Sequence, residues 1–91
     1  MKGVLEREKM HPNGAMTAGW SPVLQMYVMT TLESDSFFSY CDFYEITEET
    51  YVRFCDDGFR PTAERLLFSQ SPHHKVTAEE KAMRDKFFEI S

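Results

Sequence analysis

The sequence contains few of the residues that mark a disulfide-bonded or membrane-spanning protein. It has 91 residues, of which two are cysteine, four glycine and four proline. Small secreted domains usually carry more cysteines, so Cys41 and Cys55 are expected to be reduced thiols in a cytoplasmic protein. No apolar run approaches the roughly 18 residues of a membrane-spanning helix, and the segment MKGVLEREKM lacks the apolar core of a signal peptide. We therefore expect one domain, residues 1–91, that does not associate with membranes.

Signatures of catalysis and of metal binding are also missing. There is no G-x-S-x-G, no P-loop and no glycine-rich phosphate loop. A catalytic Cys–His pair would have to form in space, and nothing beyond the residue types supports one. The residues that could bind zinc match no known spacing; they are His11, Cys41, Cys55, His73 and His74. We expect no enzymatic activity, no metal and no cofactor, and we expect both cysteines to be small core residues.

Basic residues are absent from a long part of the chain. Residues 10–52 contain no Lys or Arg, and the segment from Glu33 to Asp57 has eight acidic residues and one basic residue. The whole chain has a net charge of −5. Direct binding to nucleic acid needs a basic stripe and is therefore not expected. An acidic region attracts a basic partner, and it equally serves as a solvated face that keeps a protein soluble.

Apolar alternation and turn residues predict several strands. His11-Pro12-Asn13-Gly14 is a turn that can join a short first strand to a second one near Met16–Trp20. Ser21-Pro22 could open a helix, but the β-branched and aromatic residues that follow favour a strand up to Leu32. Glu33-Ser34-Asp35-Ser36 is a polar turn, and Phe37–Ile46 is a second run of similar length. These two runs predict an antiparallel hairpin.

The second strand of this hairpin is aromatic on both faces. One face holds Phe38, Tyr40, Asp42, Tyr44 and Ile46, and the other holds Phe37, Ser39, Cys41, Phe43 and Glu45. A half-buried strand normally has one polar face. Either both faces are buried, or one of them is exposed and contacts a partner, since exposed aromatic patches mark interfaces.

Helix signals follow the hairpin. Thr47 can cap a helix with Glu48 and Glu49 in its first turn, and Gly58 suits the end of that helix. Pro61–Phe68 reads as a second helix. Thr77 and Glu80 form a capping box for a third helix from Ala78 to about Glu89, with Met83, Phe87 and Ile90 in one apolar stripe. We predict an α+β fold: an antiparallel β-hairpin or short meander followed by three helices packed on one face.

These patterns favour a small acidic protein-binding module, an inhibitor or adaptor that contacts a basic protein. Small size, acid bias and the lack of a catalytic motif are typical of inhibitors made by phages and mobile elements, some of which mimic DNA. The basic partner would then bind nucleic acid itself. The alternative is a structural subunit that self-associates through its aromatic strand faces, and the oligomeric state stays open. The predicted partner-binding residues are Glu33, Asp35, Tyr40, Asp42, Tyr44, Glu45, Glu48 and Glu49.

Overall fold

The computed structural model of the chain, which describes residues 5–34 and 37–89, contains a five-stranded antiparallel sheet. The strands follow one another in the sheet in chain order, so each pairs with the next. Two helices complete the described part of the chain. The elements are β1 (Glu6–Met10), β2 (Met16–Ser21), β3 (Met26–Ser34), β4 (Ser39–Ile46), α1 (Glu48–Arg53), β5 (Arg65–Ser69) and α2 (Ala78–Phe88).

The predicted hairpins are confirmed, with shifted boundaries: β3 continues to Ser34, within the predicted turn, and β4 begins at Ser39 instead of Phe37. β1 and β2 flank the His11–Gly14 turn, in which the Gly14 amide donates to the His11 carbonyl at 2.8 Å. β3 pairs with β4 as predicted, but it begins at Met26, three residues later than expected. The reason is a tight turn between β2 and β3. Ser21 stabilises this turn, because its carbonyl accepts from the Gln25 amide at 2.8 Å and its hydroxyl accepts from the Leu24 amide at 3.1 Å.

The predicted fold of a hairpin or short meander followed by three helices on one face is wrong. Pro61–Phe68 forms no helix; its second half belongs to β5, which pairs with β4. A short apolar run cannot be assigned to helix or strand by periodicity alone, and here pairing with β4 decides. The register shifts between Phe43 and Tyr44, which leaves Leu67 as an extra residue. This bulge lets consecutive residues, Leu67 and Phe68, both reach the same core.

The two helices pack on opposite faces of the sheet. Val28 and Met29 are neighbours in β3, so their side chains point to opposite faces, and each lies in a different core. We call these the α2 face and the α1 face. The core of the α2 face consists of Leu24, Val28, Phe43, Leu67, Phe68 and Phe87. The core of the α1 face consists of Ala18, Met29, Ile46, Tyr51 and Phe54.

The starts of two of the three predicted helices, at Thr47 and Thr77, are confirmed. The Thr47 side chain accepts from the Thr50 amide, and Glu48 and Glu49 occupy the first turn of α1. α1 ends at Arg53, so Gly58 is not its terminal glycine and lies in a later turn.

The capping box of α2 is complete. The Thr77 hydroxyl accepts from the Glu80 amide at 3.2 Å, and the Glu80 carboxylate accepts from the Thr77 amide at 3.0 Å. Phe87 is fully buried and Met83 half-buried, so the predicted stripe faces the core, while Ile90 lies outside the described residues. The helix therefore starts and packs as its sequence predicts.

Gly19 allows β1 to approach β2 closely. The β1–β2 register shifts between Glu6 and Lys9, and Arg7 takes a left-handed backbone conformation there (φ 51°). A Cβ atom at Gly19 would lie 2.9 Å from both the Glu6 carbonyl oxygen and the Leu5 Cβ. A side chain at this position would therefore push the backbone of β1 away from the sheet.

Gly19→Ala is expected to lower the free energy of unfolding by about 1–3 kcal/mol, the usual cost of overpacking a core. Urea denaturation followed by circular dichroism measures this change. Gly19→Ser should cost at least as much, since its side chain is larger. Wild-type stability in Gly19→Ala would show that β1 does not lie as close to β2 as described.

Phe87→Ala is expected to cost about 3–5 kcal/mol, because it removes a buried ring from the core of the α2 face. The Phe87 ring centroid lies 5.5 Å from that of Phe43 and 5.9 Å from that of Phe68. Val76→Ala, at an exposed position just before α2, is the control and should change little. Equal melting temperatures for the two variants would refute the packing of α2 on the sheet.

Candidate functional site

The α1 face carries an acidic and aromatic surface on β3 and β4. Tyr40, Asp42 and Tyr44 alternate along β4, so their side chains share this face. Directly across on β3, Glu33 pairs with Tyr40 and Thr31 pairs with Asp42. We call these five residues the acidic-aromatic patch. Its three β4 residues are half-buried and Glu33 is exposed. Four of the predicted partner-binding residues thus lie together.

Asp42 lies at the centre of the patch. Its carboxylate accepts a hydrogen bond from the hydroxyl of Ser69, its partner on β5. The Ser69 oxygen in turn accepts from the Ser71 amide at 3.1 Å. In the described part of the chain, no Lys, Arg or His forms an ion pair with Asp42 or Glu33. The patch therefore presents negative charge that no cation of the described residues neutralises.

The charge of the patch acts on Tyr44. Burial raises the pKa of the Tyr44 phenol, and the negative charges of Asp42 and Glu33 raise it further. The phenol therefore stays protonated at neutral pH and remains a hydrogen-bond donor beside two carboxylates.

Thr31 brings an unsatisfied polar atom into the patch. The residue is 9% exposed, and its hydroxyl oxygen is buried without a hydrogen-bond partner among the described residues. Thr31 lies close enough to the Tyr44 phenol to lower its pKa, but this phenol is also hydrogen-bonded to the Asp42 carboxylate, and Thr31 is left without a hydrogen bond of standard geometry among the described residues. A buried polar group without a partner costs about 1–3 kcal/mol. Packing within the fold does not explain why a hydroxyl stands here.

The other predicted site residues lie elsewhere. Glu45 points to the α2 face and forms an ion pair with Arg65, with 2.7 Å between Oε1 and Nε. Glu48 and Glu49 are exposed in the first turn of α1, at the end of β4 away from Tyr40. Asp35 lies outside the described residues. The structure thus brings together half of the predicted set.

The histidines and cysteines do not assemble into a site. Within residues 5–34 and 37–89, no group of three or more His, Cys, Asp or Glu side chains could hold a metal ion. Cys55 is exposed rather than a core residue as predicted, and its thiol donates to the Met10 carbonyl at 3.3 Å. Cys41 is half-buried, and burial followed by the charge of Asp42 raises the pKa of its thiol. His74 lies 2.9 Å from the Glu80 carboxylate.

A cleft of about 360 Å³ lies on the other side of the sheet, between α2 and the start of β3. Leu24, Met26, Leu67 and Met83 supply its apolar part. Two of its charged side chains already have partners, since Arg65 pairs with Glu45 and Glu80 holds the capping box. The other two, Glu79 and Lys86, are exposed side chains of opposite charge on α2, and they do not by themselves define a ligand. No helix of the described residues is long and apolar enough to cross a membrane.

Comparison with known proteins leaves the patch to be interpreted from this chain alone. No family model matches the chain, and neither a curated protein nor a solved structure matches it.

Sequence reasoning did not include Thr31 and Ser69 in the site. Thr31 could have been found, because the predicted hairpin places it on β3 opposite the middle of β4. Ser69 could not, because its contact with Asp42 needs β5, which was predicted as a helix. The cation that neutralises Glu45, Arg65, was missed for the same reason.

Asp42→Asn is expected to lower the pKa of Tyr44. The change removes a negative charge but keeps an oxygen that can accept from Ser69. The pKa should stay above its usual value of 10.0, because burial is the largest cause of the shift. Titration of the Tyr44 ring signal by NMR measures this change. Glu64→Gln removes an exposed carboxylate outside the patch and is the control. An unchanged pKa in Asp42→Asn would contradict the described contact between the two side chains.

Proposed function

We propose that this chain is a protein-binding module that contacts a basic protein through its acidic-aromatic patch. One observation carries the proposal: Asp42 is a half-buried carboxylate between two tyrosines, and no cation of the described residues pairs with it. A partly buried charge interacts more strongly with a partner than one in bulk water. Tyrosines are enriched at the centres of protein interfaces. The patch therefore offers both charge and contact area.

The exposed carboxylates on the α1 face suit a role in association. Glu33 is part of the patch, and Glu48 and Glu49 begin the helix that packs on the same face. Charges at the rim of an interface mainly raise the association rate and select the sign of the partner's charge. This supports an inhibitor or adaptor that finds its partner by charge and holds it by the tyrosines.

A more specific version of this proposal is that the chain mimics nucleic acid. In that form the carboxylates take the place of phosphates on a nucleic-acid-binding protein, as in some phage inhibitors. It predicts that DNA or RNA competes with this chain for the partner. The two free cysteines support a reducing compartment and hence a cytoplasmic location.

Self-association is the second candidate, and one observation favours it. Leu32 is 56% exposed, Phe38 51% and Phe37 88%, all at the same end of the β3–β4 hairpin. Large exposed apolar side chains that lie together mark contact surfaces. Phe43, in the middle of β4, does not serve this role, because it is buried in the core of the α2 face. A concentration-dependent dimer in analytical ultracentrifugation that Phe37→Ser abolishes would favour this function.

Charge reversal tests the binding proposal. The variant Glu33→Lys/Glu48→Lys/Glu49→Lys is expected to bind the partner many-fold more slowly at low salt, because it inverts the charge around the patch. The difference should shrink at physiological salt, where the Debye length is about 8 Å. Surface plasmon resonance at two salt concentrations, with the partner retained by the wild-type protein, gives both rates.

A matched control separates local from global charge. Glu8→Lys/Glu64→Lys/Glu79→Lys changes the net charge equally at three exposed positions outside the patch. It should slow association much less. Equal rates and equal salt dependence for both variants and the wild type would show that this surface only confers solubility.

A further inference from the structure

We propose that the acidic-aromatic patch is a binding site for one arginine side chain of the protein partner. The guanidinium binds the Asp42 carboxylate and lies against the rings of Tyr40 and Tyr44. This inference rests on the proposed function and names the group that the patch recognises.

The geometry of the strand places the two rings on either side of the carboxylate. Side chains two residues apart on a strand share a face and lie roughly 6.6–6.8 Å apart. A cation held on Asp42 therefore comes within about 6 Å of a tyrosine ring on each side, the range of a cation–π contact. Glu33, across from Tyr40, adds a second carboxylate on the β3 side. The ligand best suited to this arrangement is a flat cation.

A guanidinium fits these groups better than an ammonium does. It is planar, stacks on aromatic rings and binds a carboxylate through two parallel hydrogen bonds. The ammonium of lysine is a strongly hydrated point charge and makes no flat contact with a ring. Removing the hydration of a cation on a half-buried patch costs less for arginine. The patch is therefore expected to prefer arginine, and not merely positive charge.

Cations already lie on aromatic rings elsewhere in this fold. The Lys9 ammonium lies 4.2 Å from the centroid of Tyr51, on the part of the α1 face that belongs to β1 and α1. The Arg53 guanidinium lies 4.6 Å from the centroid of Phe59. Among the described residues, Tyr40 and Tyr44 have no such cation. The ring faces on β4 are thus the ones that a partner can supply.

The unsatisfied Thr31 hydroxyl is a second, independent indication of a ligand. It is buried directly across from Asp42 and near the Tyr44 phenol, and among the described residues it makes no hydrogen bond of standard geometry. In the free chain the Tyr44 hydroxyl is hydrogen-bonded to the Asp42 carboxylate. When a guanidinium takes that carboxylate, the Tyr44 hydroxyl turns to Thr31 and donates to it. The free protein thus carries an unused acceptor that binding satisfies. This accounts for a polar atom whose burial otherwise only costs stability.

Matched synthetic peptides test the preference for arginine without altering the protein. Three end-blocked peptides carry two flanking lysines and differ only at a central arginine, lysine or citrulline. We expect the arginine peptide to bind the wild-type chain about tenfold more tightly than the lysine peptide, a ratio within the range of cation–π contacts. The citrulline peptide, which keeps the shape but lacks the charge, should bind most weakly. NMR titration of the Tyr40 and Tyr44 signals locates the site and gives the affinities.

Variants at Tyr40 and Thr31 test the geometry of the arginine-binding site. Tyr40→Phe keeps the ring and should keep the preference for arginine, while Tyr40→Leu should reduce it severalfold. Thr31→Val removes only the buried hydroxyl, so it should fold at least as stably as the wild type and bind the arginine peptide more weakly. A folded Thr31→Val protein with wild-type affinity would overturn the role given to the buried hydroxyl. It would also overturn the proposed arginine-binding site.

The outcomes separate this inference from the function on which it rests. Equal binding of the arginine and lysine peptides, both weakened by salt, would overturn the arginine-binding site. It would leave a patch that recognises charge alone. Binding of neither peptide would overturn the basic partner as well. Stronger binding by arginine together with shifts only in Tyr40 and Tyr44 would support both.

Discussion

The pairing of β3 with β4 determines the composition of both cores and of the acidic-aromatic patch. Side chains alternate between the faces of a strand, so the register from Tyr27 opposite Ile46 to Ser34 opposite Ser39 decides which residues meet. It sends Phe43 to the core under α2 and Ile46 to the core under α1. A shift by one residue would bury Asp42 in place of Phe43. The same register that forms the two cores therefore places the carboxylate between the tyrosines.

Two parts of the α1 face differ in whether their charged and aromatic side chains have partners within the chain. At its β1 end, Lys9 lies over the Tyr51 ring and donates to the Tyr51 carbonyl at 3.0 Å, so a cation of the chain satisfies the aromatic residue. On β4, the charge of Asp42 is met by two hydroxyls, those of Ser69 and Tyr44, and by no cation of the described residues. A hydroxyl offers a hydrogen bond but no opposite charge. Part of the face is thus internally neutralised, while the other part retains charge at some cost in stability, as functional sites often do.

Local signals were predicted well, and contacts between distant segments were not. Thr47, Thr77 and Glu80 act within one helical turn, and the hairpin needs only two neighbouring runs and a turn, so the sequence reveals them directly. β5 has no such signal, since Leu66, Leu67 and Phe68 suit a helix as well as a strand. Its assignment as a strand depends on pairing with β4. Arg65 and Glu45, which meet in this pairing, are 20 residues apart in the sequence. Because β5 was predicted as a helix, the contacts of Ser69 with Asp42 and of Arg65 with Glu45 were not predicted.

A surface that only confers solubility would not need the patch. Exposed carboxylates such as Glu48 and Glu49 are sufficient for solubility, and they lose little hydration where they lie. Asp42 is different, because half-burying a carboxylate between two tyrosines reduces its hydration without giving it an opposite charge. Thr31 adds a buried hydroxyl with no partner in the described residues. Both features cost stability in the free chain, and the proposed arginine would offset both costs by binding Asp42 and allowing Tyr44 to turn to Thr31. This is why we assign the patch to binding and the outer carboxylates to attraction of the partner.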